Sequence, residues 1–204
     1  MNLLLGAIVF GSLAYLSIAA CEAWIAGLAR SGTLGAELLR ISLCLAAAAI
    51  GATLFAHAAP PEALFAIAIL CAALGATCYL TGMDSRVPAA VPSAALAILI
   101  GTALLQSDLG PLTSAAVTGL PFAATAAIAR GRGADWRDSI VAALGGAAFG
   151  IQVGIFVVCF ACVTIAVMRP YLARHRTNPQ PPPRFASVLA GSFMLVLLGQ
   201  LAVS

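Results

Sequence analysis

The chain has 204 residues, of which 62% are hydrophobic and only 8% charged, and its mean hydropathy is +1.07. Soluble domains carry roughly 25% charged residues, so this chain cannot cover a water-facing surface and we expect an integral membrane protein. Strand-type alternation is absent and Ala, Leu and Ile dominate, which favours helical spans. The net charge of +3 is too small and too localised to indicate binding to nucleic acid.

Long apolar runs separated by turn residues predict an all-α, polytopic helical bundle of seven or eight transmembrane segments. All of them belong to one membrane domain, residues 1–204, without a soluble module. The expected spans are about 3–28, 35–57, 62–82, 89–106, 112–129, 138–150, 153–168 and 186–203.

The exact number of spans depends on residues 138–168, which as one helix would extend about 46 Å against a hydrocarbon core of about 30 Å. A break near 149–152, carrying the chain out and back, is favoured by four glycines: Gly145, Gly146, Gly150 and Gly154. The break also returns the arginines after residue 168 to the side of the other loop arginines, as the positive-inside bias requires. The arginine-rich side is then cytoplasmic, and both termini lie outside.

The cysteines all lie inside apolar runs, where they behave as small hydrophobes, and their spacing to one another and to histidine does not indicate a metal site. We therefore expect no metal and no cofactor. The six residues are Cys21, Cys44, Cys71, Cys78, Cys159 and Cys162.

Three polar residues belong to the first two spans. Glu22 lies inside the first span, where a lone carboxylate is a functional candidate by default, although snorkelling or a hydrogen bond between helices is the simpler interpretation. Glu37 and Arg40 open the second span at i,i+3 spacing and are expected to pair on one helix face.

On this topology Asp84, Asp135 and Asp138 lie at helix ends on the cytoplasmic side, whereas Asp108 lies opposite. Two carboxylates within a few Å share a proton, so that one can activate water while the other protonates a leaving amine. Alternatively, each aspartate merely caps a helix or pairs with an adjacent arginine. The residues by themselves leave both interpretations open.

Four landmarks occur in the order that is found in the prepilin leader peptidases, the GxGD-type aspartic proteases that process type IV prepilins and preflagellins. The chain resembles that family over roughly residues 30–204. The landmarks are Glu37-Leu38-Leu39, Met83-Asp84-Ser85-Arg86-Val87-Pro88, the stretch Gly131–Arg137 followed by Ala142–Gly145, and Pro181–Ala186 before the last span.

The resemblance implies that Asp84 and Asp135 are the catalytic pair. Asp138, Glu37, Arg137 and Gly133 would be accessory residues. The Gly-x-Gly-Asp motif is altered, because Ala134 stands between Gly133 and Asp135, and counting back from Gly146 makes Asp138 the matching acid instead. Asp135 keeps both the preceding glycines and the following base.

The resemblance further implies an aspartic endopeptidase of the inner membrane that removes the basic leader of prepilin-like, single-span substrates reached from the lipid. The cysteine-bearing loop of longer members is absent, so that neither a zinc site nor methyltransferase activity is implied. Two other functions are considered: a catalytically degenerate relative that binds pilin-like subunits, and a small proton-coupled transporter. The oligomeric state is left open.

Overall fold

A computed structural model of the chain describes residues 2–24, 34–82, 89–128, 135–175 and 185–203. These residues form seven α-helices and no strand: α1 (Asn2–Trp24), α2 (Leu34–Ala56), α3 (Pro61–Gly82), α4 (Ala90–Leu105), α5 (Gly110–Ile128), α6 (Trp136–His175) and α7 (Phe185–Val203). The all-helical architecture expected from the sequence is confirmed. α6 continues to His175, beyond the expected end of a span at residue 168.

Five of these helices are long and apolar enough to cross a membrane, namely α1, α2, α3, α5 and α6. The apolar parts of α4 and α7 are shorter. Just over half of the apolar stretch of α3 is buried, against roughly a quarter in the other four. α3 is therefore the central helix, and its Leu74 and Leu80 are fully buried in the core together with Leu144, Leu189 and Phe193.

Two pairs of helices that follow each other in the chain run in opposite directions. α1 and α2 are antiparallel, because Gly6 near the start of α1 lies against Gly51 near the end of α2. α5 and the start of α6 are antiparallel as well, since the Ser139 hydroxyl donates to the Gly119 carbonyl and the Thr118 hydroxyl to the Ala142 carbonyl. Side-chain hydrogen bonds of this kind join helices inside a membrane.

The two ends of the bundle are named after the aspartate found at each. At the Asp138 end, α3 finishes while α6 and α7 begin, and the side chains of Cys78 and Ser187 form a hydrogen bond there. At the Asp108 end, α4 finishes and α5 begins, close to the first turns of α3. The prediction that Asp108 lies opposite Asp138 is confirmed.

The expected break in the long helix is found at Gly150, whose φ of 80° and ψ of 173° are not helical. This conformation belongs almost only to glycine. In a straight helix Gly146 and Gly154 would be about 12 Å apart, but a Cβ built on Gly154 would lie 3.2 Å from the Gly146 Cα. α6 therefore folds back at Gly150 into a first arm, Trp136–Phe149, and a second arm, Ile151–His175.

Glycine lets the two arms and α5 come together at Thr118. A Cβ on Gly146 would overlap the Thr118 hydroxyl and lie 2.6 Å from the Ser114 carbonyl oxygen, and one on Gly154 would lie 2.9 Å from the Thr118 methyl group. Small residues at such crossings allow the close van der Waals packing that holds membrane helices together.

Gly146→Ala is expected to lower the free energy of unfolding by about 1–3 kcal/mol, because the added methyl group overpacks the contact with α5. Gly101→Ala in α4 is the matched control, since nothing lies within 4 Å of its added Cβ. That control should be neutral or stabilising by up to about 1 kcal/mol, through higher helix propensity. Thermal unfolding in detergent measures both, and equal melting temperatures for the two variants would contradict the packing at Thr118.

Two helices end at the Asp108 end in Schellman turns without glycine. After α2, Ala58 has a φ of 49° and the Ala59 amide donates to the Leu54 carbonyl. After α4, Ser107 has a φ of 59° and the Asp108 amide donates to the Ala103 carbonyl. Glycine normally takes the left-handed position of this motif, because a Cβ is strained there.

Ala58→Gly and Ser107→Gly are each expected to raise the free energy of unfolding by about 0.5–1 kcal/mol. Each substitution removes a Cβ that is strained in the left-handed backbone conformation. Ala49→Gly, at an exposed position within α2, should instead cost about 0.5–1 kcal/mol. The same thermal unfolding measurement checks the opposite signs, and a loss of stability in all three variants would be inconsistent with strained turns.

Candidate active site

Of the predicted catalytic and accessory residues, the structure describes Glu37, Asp135, Arg137 and Asp138. Asp84 and Gly133 lie outside the described residues, as do the segments 83–88, 131–134 and 181–184 that carry most of the motif residues. The structure shows the helices that precede and follow these segments in the chain.

Asp135 and Asp138 together form the start of α6. Asp135 precedes the first helical residue, and its backbone N–H donates a hydrogen bond of 2.9 Å to Oδ2 of Asp138. A side chain at the third helical position that accepts from the residue before the helix is one half of a capping box. Asp138 thus holds the backbone of Asp135 in place.

Asp138 also links α6 to α7. The backbone amide of Ala186, in the first turn of α7, is a second donor to the Asp138 carboxylate. Only 7% of Asp138 is exposed. A buried carboxylate of this kind requires hydrogen-bond donors, and here two backbone amides from different helices supply them.

Asp135 has a different environment, because 58% of its side chain is exposed. Its Oδ2 lies 3.4 Å from Nη1 of Arg137, two residues further along the chain. Both of the simpler roles considered for the aspartates are therefore present: Asp138 caps a helix, and Asp135 pairs with an arginine. The exposed Asp135 carboxylate nevertheless stays accessible to a polar ligand at the Asp138 end.

A second polar cluster at the same end joins α1, α2 and α3. The Tyr79 hydroxyl donates a hydrogen bond of 2.5 Å to Oε1 of Glu22, and Nη1 of Arg40 lies 3.6 Å from Oε2 of Glu22. Nη2 of Arg40 binds both carboxylate oxygens of Glu37 at 2.6 and 2.8 Å. The expected Glu37–Arg40 pair is confirmed. Of the two simpler interpretations of Glu22, the structure shows the hydrogen bond between helices.

Sequence analysis missed Tyr79 and Tyr15 as partners in this cluster. The Arg40 guanidinium lies 5.3 Å from the centre of the Tyr15 ring, which is within cation–π range. The sequence did indicate that a tyrosine could be such a partner. A carboxylate within a span needs a partner, and the chain has only three tyrosines. Choosing among them required the packing of α1 against α3.

Helix packing brings the end of α3 and the start of α6 to the same end of the bundle. α3, which precedes Asp84 in the chain, contacts the first turns of α7 through Cys78 and Ser187. α6, which follows Asp135, contacts the first turn of α7 through Asp138 and Ala186. The end of α3 and the start of α6 therefore share one neighbour.

Comparisons of the chain with protein-family models, with curated proteins and with solved structures find no match. Among the described residues, no group of three or more His, Cys, Asp or Glu side chains could hold a metal ion.

Asp138→Ala is expected to lower the free energy of unfolding by about 1–3 kcal/mol, because the amides of Asp135 and the buried Ala186 lose their acceptor. Asp138→Asn should cost less, since its carbonyl oxygen still accepts. Asp135→Ala, at the exposed pair, should change stability by only about 0.5 kcal/mol or less. Thermal unfolding of the three variants tests this order, and a larger loss for Asp135→Ala than for Asp138→Ala would contradict it.

Proposed function

We propose that the chain is a membrane aspartic endopeptidase that removes the basic leader from type IV prepilin-like precursors. The observation that carries the proposal is the shared contact of the end of α3 and the start of α6 with the first turns of α7. A catalytic pair of Asp84 and Asp135 requires these two helix ends to lie at the same end of the bundle. The order of the sequence landmarks supports the same assignment.

The proposed topology has eight membrane segments, with each arm of α6 counted as one, in the inner membrane of a bacterial cell. The Asp138 end, which carries the described arginines Arg40 and Arg137, faces the cytoplasm, as the positive-inside bias favours. A single-span precursor reaches the site from the lipid, and its basic leader then lies beside the carboxylates.

In the proposed mechanism Asp84 and Asp135 share one proton. The ionised member takes a proton from water as the water oxygen adds to the scissile carbonyl carbon. The protonated member then donates to the leaving nitrogen as the carbon–nitrogen bond breaks, which releases the leader carboxylate and the new amine. Water is the only co-reactant.

The remaining residues have positioning roles in this proposal. Asp138 holds the Asp135 amide, and Arg137 keeps a positive charge 3.4 Å from the Asp135 carboxylate. Gly133 has no Cβ, so a peptide backbone could pass close to it. Glu37 acts through Arg40 on the neighbouring cluster.

The test is cleavage of a type IV pilin precursor by the purified protein in lipid nanodiscs, followed by mass spectrometry of the products. Asp84→Asn and Asp135→Asn are each expected to lower the cleavage rate by about 1,000-fold, the scale of general acid–base catalysis. Glu62→Gln, in the first turn of α3 at the opposite end, is the control and should cleave like the unchanged protein.

Asp138→Asn decides between the two candidates for the second acid. Because asparagine keeps an oxygen acceptor for the Asp135 amide, cleavage should fall less than about tenfold if Asp138 only positions. Loss of cleavage in Asp138→Asn with full cleavage by Asp135→Asn would assign the second acid to Asp138. Full cleavage by Asp84→Asn would eliminate the pair, and precursor binding without cleavage by the unchanged protein would point to a non-catalytic relative.

A further inference from the structure

A half-open cavity of about 300 Å³ lies at the Asp108 end, away from the candidate active site. Its volume is at the lower limit of small-molecule sites. Five helices, α3 to α7, contribute to its walls. The turn of α6 at Gly150 leaves the last residues of the first arm, among them Phe149, on one side of it.

The lining changes from apolar to polar between the floor and the mouth. The buried lining residues are all apolar, as with Leu70, Ala103 and Leu197. The polar lining residues are all exposed: Thr102, Gln106, Asp108 and Gln200. A ligand with an aliphatic tail and a polar head matches this arrangement. Its tail would be removed from water in the cavity, while its head would stay near water.

The charge at the mouth of the cavity indicates which polar head it can bind. Asp108 is the only ionisable residue in the lining, and its Oδ1 accepts the Gly110 amide at 2.8 Å. No ion pair involves Asp108 within the part of the chain that is described, where Arg40 and Arg137 pair with other acids. The carboxylate at the mouth therefore favours a cationic group.

The chemistry of the mouth selects among cations as well. A primary ammonium has three N–H donors, and the four polar side chains of the mouth all carry acceptor oxygens: Asp108, Gln106, Gln200 and Thr102. A quaternary ammonium has no donor and would leave these oxygens unmatched. Charge-assisted hydrogen bonds are about twice as strong as neutral ones.

We propose that this cavity binds one acyl chain of a membrane lipid with a primary ammonium head group, and that Asp108, Gln106 and Gln200 hold the ammonium. Phosphatidylethanolamine has this head group. The source is the bilayer, because the cavity lies among helices with the composition of membrane spans. The proposal is independent of peptidase activity.

The experiment titrates the purified protein in non-ionic detergent with lipids of equal acyl length and follows bound lipid by native mass spectrometry. The three probes carry ethanolamine, choline or glycerol head groups. Phosphatidylethanolamine is expected to bind at least about fivefold more tightly than the other two, which corresponds to one partly exposed charged contact. Equal affinity for the three lipids would overturn the proposal.

Asp108→Asn isolates the charge, since the asparagine oxygen can still accept the Gly110 amide. It should weaken phosphatidylethanolamine binding about fivefold and phosphatidylcholine binding less, because choline loses only the charge attraction and no hydrogen bond. Glu62→Gln removes a carboxylate at the same end that does not line the cavity, and should change neither. Unchanged phosphatidylethanolamine binding in Asp108→Asn, or equal loss in Glu62→Gln, would refute the assignment.

Ala148→Phe tests the chain-binding part of the site. Ala148 lines the cavity and is exposed, so a larger side chain narrows the space without disturbing the buried core. All three lipids should bind more weakly to this variant. Undiminished binding with an unchanged melting temperature would place the lipid elsewhere on the protein.

Discussion

The reversal of the chain at Gly150 is the constraint on which the arrangement of both ends depends. A helix of 40 residues would extend about 60 Å, twice the hydrocarbon thickness. A φ of 80° with an extended ψ is open to glycine and strained for other residues. Because α6 turns back there, Asp138 lies at one end of the bundle, the cavity lies at the turn, and the second arm packs on α5 beside the first.

Several of the few charged side chains of this protein stabilise the ends of helices or join helices to one another. Asp108 binds the first amide of α5, and Asp138 binds amides that open α6 and α7. Glu22 and Arg40 join three helices. Charges at these positions stay close to water, whereas a charge at the bilayer centre would be costly. A peptidase built on such a bundle would use carboxylates that also determine where its helices begin.

Features formed by residues close together in the chain could be predicted from the sequence. Contacts between residues far apart in the chain could not. The turn near Gly150 followed from length and from the arginine distribution, and the Glu37–Arg40 pair followed from i,i+3 spacing. Tyr79 is 57 residues from Glu22, so their contact required the packing of α1 on α3. The Schellman turns at Ala58 and Ser107 lack the glycine that normally indicates them. The link from Asp138 to Ala186 depends on where α7 begins.

The first arm of α6 has a consequence for the bilayer itself. Trp136–Phe149 rises only about 21 Å, and the neighbouring α4, with 16 residues, about 24 Å. A hydrophobic stretch shorter than the lipid core is accommodated by local thinning of the membrane. If each of these two adjacent helices crosses the membrane, as proposed above, both are too short for the lipid core on that side of the protein. Thinning of this kind would bring lipid head groups and water closer to the ends of these two helices.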